Sequence, residues 1–432
     1  MSASTAVSFA HLPDTWHIHK VGELCKVGTG GTPSTKVPDY YEPPAVNWIK
    51  SGDVKGLYID RAENRISQAG MANSAATPHP PGTVLMAMSG RGKTRATTAI
   101  LRIEAACSQS VAAITPTKQI SSEFLHFQFV QRYSEIRGIT GSDDRSGLNM
   151  SLIRDIDLMV PPINEQRNIA HVLTLAQRAL AQQERILKIT SELKKVLLHQ
   201  LFTEGLRRGK QKKTEIGLIP ENWDVVPLGS LAKVGNGSTP KRDNESYWQG
   251  GTIPWLNSAK IHDRFISEAD QFVTDLAVKE CHLPRVEAGS LLIAITGQGK
   301  TLGNSALVSF QTCINQHLAY AQFKSSRVVP EFVLWFMQTR YEHLRSISQA
   351  GGSTKGALTC GYLKTYQVPV PPLDEQREIT NIFSALDQKE KIHERKQLSQ
   401  TDLFRTLLHQ LMTAQIRVHN LDINELEAAA AE

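Results

Sequence analysis

The chain has 432 residues, of which 41% are hydrophobic, and its 48 basic and 42 acidic residues give a net charge of +6. This length predicts two to four domains, and the hydrophobic share is sufficient for ordinary packed cores. The mild positive charge is compatible with nucleic-acid binding without requiring it, and the lack of any long apolar run excludes a membrane-spanning helix.

The cysteines and the start of the chain indicate a reducing compartment. Five cysteines occur without a C-x-x-C pair, which argues against a zinc ribbon and against a disulfide framework. Cys107 and Cys313 lie in short apolar runs, and we interpret them as buried strand residues rather than ligands. Because the first residues lack a basic, apolar leader, we expect a cytoplasmic protein.

The chain repeats itself with a nearly constant offset. Matched positions include Trp16 and Trp223, Thr32 and Thr239, Trp48 and Trp255, and Lys93 and Lys300. Each copy has short apolar runs bounded by Gly, Pro, Asn and Ser, which predict strands, and one helix near residues 123–137 or 331–346. The repeat therefore predicts two similar sheet-rich α+β domains related by pseudo-twofold symmetry.

The predicted division of the chain follows this repeat. It comprises a first sheet-rich domain at 1–160, a long helix at 161–206, a basic linker at 207–218, a second sheet-rich domain at 219–370, a second long helix at 371–420 and a tail at 421–432. The linker is glycine-containing and rich in Lys and Arg, so we expect an exposed flexible connector that is either solvated or in contact with DNA phosphate.

The two predicted helices begin alike. A proline pair at 161–162 or 371–372 precedes a Glu-Gln-Arg triplet, and proline suits the run-in to a helix. Asn164 and Asp374 are the predicted N-caps. No proline or glycine interrupts residues 165–203, which predicts an unbroken helix of about 58 Å at 1.5 Å per residue. Such a length favours a coiled coil.

Apolar residues step by three or four along both helices, with a polar middle, and predict a coiled-coil seam. The seam positions are Ile169, Val172, Ile186, Leu193 and Leu197, and Ile379, Ile382, Leu386, Leu403 and Leu407. We expect the helices to pair antiparallel; the alternative is two independent amphipathic helices, each packed on its own domain. The residues of the two Glu-Gln-Arg triplets either brace the corner between domain and helix or contact a partner subunit, and we favour the bracing role. These residues are Glu165, Gln166, Arg167, Glu375, Gln376 and Arg377.

Both halves contain a Gly-Lys-Thr sequence that superficially resembles a P-loop. The phosphate cradle normally opens with glycine and leads into a helix, whereas here it opens with Ala87 or Ala294 and leads into a predicted strand. We therefore interpret the loops of Lys93 and Lys300 as hairpins that either contact DNA phosphate or are purely structural, with nucleotide hydrolysis as a further alternative. No metal-ligand cluster and no hydrolase or methyltransferase motif is present in the sequence.

Glycine-rich loops with hydroxyl and basic residues predict contacts with DNA, because such side chains bind phosphate and base edges; mobile surface loops are the alternative. The candidates are Thr32, Ser34, Lys36, Lys50, Ser51, Arg91, Lys93, Arg95 and Arg145 in the first half, and Thr239, Lys241, Arg242, Asn257, Lys260, Gln298, Lys300 and Lys355 in the second. Trp48 and Trp255 are interpreted as core residues rather than stacking platforms. Several polar candidates differ between equivalent loops, which is expected if the two domains recognise different base sequences. Neutral sequence drift after a duplication is the alternative.

Taken together, the half-repeats carrying W-x-x-x-x-(L/V)-G-x-L, G-x-(S/T)-P and P-P-x-x-E-Q-R-x-I resemble the specificity subunit of type I restriction–modification systems. The most specific motif lies at residues 161–169 and 371–379. The resemblance covers nearly the whole chain, and it implies two target recognition domains joined by two long helices that form an antiparallel coiled coil.

The resemblance also implies a function. Each domain would read one half of a bipartite DNA site, and the helices would set the spacer and dock two adenine-N6 methyltransferase subunits. Restriction subunits would join through them. S-adenosylmethionine, and ATP with Mg²⁺ for restriction, would bind these partners, and this chain would be non-catalytic. The polar second helix at 389–400 leaves room for a partner. Our alternative to a DNA-binding subunit is a bivalent scaffold that binds no DNA.

Overall fold

The computed structural model describes residues 12–90, 92–140, 147–297, 300–350 and 358–418. The chain forms two units: unit 1 comprises Met1–Arg185 and Arg395–Glu432, and unit 2 comprises Ile186–Glu394. Each of the two long helices contributes one segment to each unit. The α+β class and the two sheet-rich domains joined by long helices are therefore confirmed.

The first segment of unit 1 consists of short strands and helices followed by the start of the first long helix, and its second segment contains the end of the second long helix. Its elements are β1 His17–Lys20, α1 Val21–Leu24, β2 Cys25–Thr29, β3 Val46–Ile49, β4 Tyr58–Ile59, β5 Asn64–Ile66, α2 Gln68–Ala72, β6 Val84–Ala87, β7 Thr98–Leu101, β8 Ala106–Cys107, β9 Val111–Pro116, α3 Ser122–Gln131, α4 Tyr133–Gly138, α5 Met150–Arg154, β10 Asp157–Val160 and the start of α6 Ile163–Glu204. The strands form a five-stranded sheet of order β2-β9-β6-β7-β4, a three-stranded sheet of order β5-β3-β8, and the pair β1-β10.

Unit 2 repeats this order. Its elements after α6 are β11 Gln211–Thr214, β12 Gly217–Pro220, β13 Asp224–Pro227, α7 Leu228–Leu231, β14 Ala232–Asn236, β15 Ile253–Leu256, β16 Phe265–Ile266, β17 Gln271–Val273, α8 Asp275–Glu280, β18 Leu291–Ala294, β19 Ser305–Val308, β20 Cys313–Ile314, β21 Leu318–Phe323, α9 Pro330–Thr339, α10 Tyr341–Ala350, α11 Cys360–Thr365, β22 Gln367–Val370 and the start of α12 Leu373–Met412. The sheet orders β14-β21-β18-β19-β16 and β17-β15-β20 match those of unit 1.

The continuous apolar runs of the sequence are central strands covered on both faces. In β6, Val84 and Met86 belong to one core cluster, whereas Leu85 and Ala87 belong to another. Alternate side chains of a strand point to opposite faces, so a strand buried on both sides needs an unbroken apolar run. The predicted strand residues Cys107 and Cys313 are fully buried in β8 and β20.

The long helices begin at Ile163 and Leu373, two residues before the starts that the predicted N-caps imply. The backbone N–H of Gln166 donates to the carbonyl of Pro162 at 3.1 Å, and Gln376 donates to Pro372 at the same distance. A residue whose carbonyl accepts the first intrahelical bond while remaining outside the helix is the N-cap. The prolines therefore occupy the cap position, and the prediction of Asn164 as an N-cap, like that of Asp374, is wrong.

Within each unit, a segment of α6 packs against a segment of α12. In unit 1, Ile169 and Leu173 share a core cluster with Leu408 and Leu411. In unit 2, Lys194 contacts Asp387, and Leu206, just beyond the end of α6, contacts Glu375 at the start of α12. Residue numbers rise along one segment while they fall along the other, so the two segments in unit 2 run antiparallel.

The predicted seam register fails at two positions. Leu193 is 46% exposed and Leu403 is 56% exposed, whereas the residues that follow them, Lys194 and Phe404, face the packed side. Phe404 lies 6.3 Å from Phe127 between ring centroids. The remaining seam residues are buried or half-buried, namely Ile169, Val172, Ile186, Leu197, Ile379, Ile382, Leu386 and Leu407.

Lys194 takes the buried position because three side chains, those of Asp387, Glu390 and Trp335, stabilise its charge there. Its ammonium contacts Asp387 and lies 2.8 Å from Glu390 Oε2. Arg264, which precedes β16, contacts the other oxygen of Asp387. Both cations lie over the Trp335 ring, at 5.2 and 4.7 Å from its centroid. We call Lys194, Arg264, Asp387, Glu390 and Trp335 the charged latch.

The predicted flexible linker contains an ordered hairpin. β11 pairs antiparallel with β12, with Thr214 opposite Gly217, and Gly217 has a positive φ of 109° that suits glycine in a tight turn. Ile219 is buried in the core of unit 2. Ile219 anchors the hairpin to this core, which a count of basic residues does not reveal.

Candidate nucleic-acid interface

A tight turn after β8, and its counterpart after β20, is the centre of the candidate interface. We call residues 108–110 and 315–317 the central turns. Val111 N–H donates to Ser108 O at 3.0 Å, and Leu318 N–H donates to Asn315 O at 3.3 Å. These bonds close one turn in each unit, between two strands of different sheets.

Three neighbouring segments are hydrogen-bonded to each central turn or to the strand residue before it. In unit 1, Ser108 donates to Ile49 at the end of β3, Met88 after β6 donates to Ser110, and Gly31 donates to Cys107. The same three bonds recur in unit 2. They run from Asn315 to Leu256, from Ile295 to His317 and from Ser238 to Ile314. The candidate loops after β2, β3 and β6 are thereby gathered around one turn, as are their equivalents in unit 2.

The glycine-rich loops after β2 and β14 pass very close to the neighbouring strand. A Cβ atom on Gly30 would lie 1.7 Å from the carbonyl oxygen of Cys107, and one on Gly237 would lie 1.8 Å from that of Ile314. No side chain fits at such distances, so glycine is required by the close approach of two backbones. This explains why the glycines are repeated in both halves.

The repeated tryptophans hold these loops in place from the core side. Trp48 is 3% exposed and donates its indole N–H to Gly31 O at 3.0 Å; Trp255 is 2% exposed and donates to Ser238 O at 3.2 Å. A buried indole N–H needs such a partner. The prediction that both are core residues rather than base-stacking platforms is confirmed.

An exposed glutamine sits in each central turn and was not predicted. The Thr32 hydroxyl donates to Gln109 Oε1, and the Thr239 hydroxyl donates to Gln316 Oε1. In unit 2 the Gln316 amide nitrogen also lies 3.3 Å from His317 Nε2. Both glutamines occupy equivalent positions of the repeat, and that repetition of an exposed polar residue was the signal available in the sequence.

The Gly-Lys-Thr loops connect β6 to β7 and β18 to β19, and no helix begins at their Lys-Thr. The P-loop geometry is therefore not formed, as predicted. Tyr133 donates its hydroxyl to Lys93 O at 2.7 Å, and Tyr341 donates to Lys300 O at 2.8 Å. Each tyrosine fixes the backbone of its loop, while the lysine side chain is exposed to solvent.

Most candidate DNA-contacting residues are accessible. The exposed ones are Thr32, Ser34, Lys36, Lys50, Lys93, Lys241, Arg242 and Lys300, and the half-buried ones are Ser51, Thr239, Asn257 and Lys260. Lys260 is paired with Asp270 at 2.9 Å, which raises its pKa. Arg242 stacks on Trp248 at 3.9 Å, and Lys50 lies 2.9 Å from Asn64 Oδ1. These contacts orient the cations without burying them.

Arg95 does not belong to this surface. It is 4% exposed, and its equivalent in unit 2, Leu302, is 5% exposed in the core. The side chain at this position points inward from the Gly-Lys-Thr loop, so the prediction of Arg95 as a DNA contact is wrong. Four further candidates lie outside the described residues, namely Arg91, Arg145, Gln298 and Lys355.

The corner between each domain and its long helix is braced by the glutamine of the Glu-Gln-Arg triplet. Gln166 Oε1 accepts from Ser121 N–H at 3.0 Å, and its amide donates to the carbonyls of Gln119 and Pro161, each at 2.9 Å. Gln376 makes the same three bonds at 2.8 Å, to Val329, Arg327 and Pro371. Both side chains are almost completely buried.

The neighbouring glutamates are also buried, whereas the arginines of the triplets are exposed. Glu165 accepts from Arg417, and this raises the pKa of the arginine. Glu375 accepts from the indole of Trp223 at 3.1 Å and from Leu206 N–H at 2.9 Å. Arg167 and Arg377 face solvent. The buried members of the triplet are therefore occupied by contacts within their own unit.

The described residues contain no group of three or more His, Cys, Asp or Glu side chains placed to hold a metal ion. Over the same part of the chain, no helix is both long and apolar enough to cross a membrane. The interface thus consists of loops with amide, hydroxyl and ammonium groups.

Comparison with known proteins assigns the family. The family model "Type I restriction modification DNA specificity domain" matches residues 13–191 and 220–400. The type I restriction enzyme MjaIX specificity subunit of Methanocaldococcus jannaschii is 25% identical over 427 residues, and the MjaVIII specificity subunit of that archaeon is 20% identical over 435 residues; each alignment covers 95% of both chains.

The fold is also similar to a solved structure. The S subunit of a type I restriction–modification system from M. genitalium superposes with a TM-score of 0.60 at 14% identity, covering 95% of this chain and 98% of that one. Because the family model matches one long stretch in each half, the chain belongs to the family of type I restriction–modification specificity subunits.

Proposed function

We propose that each unit reads one half of a bipartite DNA site and that the chain supplies sequence specificity to adenine-N6 methyltransferase subunits. The observation that carries this proposal is the duplicated interface. Two central turns are built by the same hydrogen bonds, yet the polar side chains around them differ, as Lys50 and Asn257 do. A shared frame with different donors and acceptors suits two readers of different bases.

The charge distribution around each turn is consistent with DNA as the ligand. Lys93 and Lys300 stand on tyrosine-fixed loops, and Lys241 and Arg242 extend the glycine-rich loop of unit 2. Lysine and arginine contacts with phosphates position a protein on the duplex, while amides and hydroxyls specify bases. Affinity should consequently fall steeply as salt rises.

The long helices are proposed to set the unread spacer and to dock the partners. The 42 residues of α6 and the 40 of α12 correspond to about 63 and about 60 Å at 1.5 Å per residue. At 3.4 Å per base pair this sets an upper limit of about 18 base pairs between half-sites. Exposed apolar residues on the helices, including Ile189 and Ile392, provide surface for two modification subunits and, through them, restriction subunits.

Catalysis is assigned to the partners. S-adenosylmethionine would bind the modification subunits, and ATP with Mg²⁺ would bind the restriction subunits. This chain would position them on DNA, in keeping with an interface whose chemistry is hydrogen bonding and charge pairing.

Genome-wide mapping of methylated adenines tests this function. The chain is co-expressed with its modification subunits, and a single bipartite motif with a fixed spacer is expected. Methylation without sequence preference would contradict the proposal, and absence of DNA binding by the assembled complex would favour a protein scaffold. An insertion of four residues in α6 should change the spacer or abolish methylation, but it should leave the bases of both half-sites unchanged.

A further inference from the structure

Gln109 and Gln316 are held unusually well for exposed side chains. Each sits in a hydrogen-bonded turn that follows a buried strand, and each accepts a bond from the threonine of the glycine-rich loop. That loop is in turn fixed by a buried indole and by a glycine that no other residue can replace. Exposed long side chains normally lose rotamer freedom when they bind, and this frame removes part of that cost beforehand.

The hydrogen-bonding capacity of these amides is only partly used. A glutamine amide has two N–H donors and two acceptor lone pairs. Thr239 occupies one lone pair of Gln316, and His317 occupies one donor. One donor and one acceptor therefore remain on the same amide, and this is the combination that binds the N7 and N6 edge of adenine in the major groove.

The residue after the glutamine distinguishes the two units. In unit 1, Ser110 turns back to Ser108, with 2.8 Å between their hydroxyl oxygens. In unit 2, His317 is exposed and its Nδ1 lies 2.5 Å from the hydroxyl of Thr296, at the start of the Gly-Lys-Thr loop. The second unit thus presents an imidazole next to its glutamine where the first presents a small hydroxyl.

We propose that Gln109 and Gln316 are base-contacting residues, one in each half-site, with adenine as the preferred base. His317 in unit 2, and the smaller Ser110 in unit 1, give the two units different specificity at the adjacent base pair. This inference rests on the proposed function, because it names the side chains through which the same interface reads DNA.

The phosphate contacts flank these residues on the same frame. The loop that carries Lys300 begins at Ile295, whose N–H donates to His317 O at 3.0 Å, and the loop that carries Lys93 begins at Met88, bonded to Ser110 at 2.9 Å. A cationic loop is thereby joined to each base-contacting turn by one backbone hydrogen bond. Phosphate contacts of this kind fix the register of the base-contacting residues on the duplex.

The test uses the full chain with its modification subunits and maps methylated adenines. Gln316→Ala should relax the preference at one base pair of one half-site by about 5- to 100-fold, the range for losing a bidentate base contact. Gln109→Ala should do the same in the other half-site. Gln311→Ala is the matched control, because Gln311 is an exposed glutamine of unit 2 that bonds to Glu287 and lies outside the central turn.

Two results would overturn the inference. One is an unchanged motif for Gln316→Ala; the other is relaxation in both half-sites, which would indicate a general loss of affinity. If Gln316→Ala abolishes methylation, the deciding variant is His317→Ser, which copies the residue of unit 1. This variant must alter the preference at the base pair next to the glutamine contact, and an unchanged motif refutes the proposal. A wild-type complex without any motif would instead refute the proposed function.

Discussion

The buried glutamine of each Glu-Gln-Arg triplet should carry much of the stability of the corner between domain and helix. Replacing Gln376 by Ala removes three hydrogen bonds of 2.8 Å, two of them to the loop before α9 and one to the proline that precedes α12. The lost partners are two carbonyls and one N–H. Alanine cannot replace any of these bonds, and the side chain that it truncates is 0% exposed.

The magnitude follows from these contacts. A net hydrogen bond contributes about 1 kcal/mol, and an unsatisfied buried partner costs about 1–3 kcal/mol. Two of the three bonds are only partly buried, so water can reach their partners, and the lower value applies to them. We expect Gln376→Ala to lower the free energy of unfolding of unit 2 by about 3–4 kcal/mol, and Gln166→Ala to have a similar effect on unit 1.

Hydrogen–deuterium exchange on the full chain measures both consequences. The Val329 amide should lose protection in Gln376→Ala, and the Ser121 amide should lose it in Gln166→Ala, because each donates to the removed oxygen. The slowest-exchanging core amides of the same unit report its unfolding free energy. Arg377→Ala is the control, since this neighbour is exposed. If Gln376→Ala matched the control in stability and left Val329 protected, the bracing role would be refuted.

Two further experiments test how buried ionisable side chains affect stability. Lys194→Met leaves one cation, Arg264, beside two carboxylates and should destabilise unit 2 by about 2–4 kcal/mol. Adding Asp387→Leu should restore part of this because one charge of each sign, on Arg264 and Glu390, then remains; additive losses on urea denaturation would contradict the latch. Burial lowers the pKa of His126 from 6.5 to about 3, so the stability contributed by its neutral form is complete above pH 6.5 and is lost as the pH falls towards 3. His126→Leu, which copies Leu334 of unit 2, should therefore recover about 2–3 kcal/mol of the unfolding free energy that is lost between about pH 6.5 and 4.5. An unchanged acid-unfolding profile would exclude His126 as the source of this loss.

The charged latch has an apolar counterpart in unit 1. By the internal repeat, Lys194 corresponds to Phe404, Arg264 to Leu57 and Trp335 to Phe127. These three unit 1 residues pack in a single core cluster. Equivalent positions at the two junctions between domain and helix therefore differ in chemistry, and salt should act mainly on the charged one.

Part of this structure was determined by the sequence alone. The repeat, the sheet-rich α+β domains, the buried cysteines and tryptophans and the two long helices could all be predicted, because they depend on local signals. Short apolar runs between turn residues specify strands, and long stretches without proline or glycine specify helices. The rejection of a P-loop was equally local, since it depended on a strand following Lys93 and Lys300.

Only the tertiary structure decided which way individual side chains face. The helix pattern did not reveal that Lys194 rather than Leu193 is buried, because its charge is stabilised by Asp387 and Glu390 from the other long helix and by the ring of Trp335 from the domain. Composition likewise favoured Arg95 as an exposed cation, although the fold of its loop turns it inward.

The central turns illustrate the same limit at the interface. Gln109 and Gln316 look like ordinary surface residues in the sequence, because only their repetition in both halves marks them. They become the centre of the site only when the glycine-rich loop, the end of β3 or β15 and the Gly-Lys-Thr loop are brought together by hydrogen bonds between residues far apart in the chain. Local patterns fix the backbone elements, whereas long-range packing fixes which polar groups are presented together.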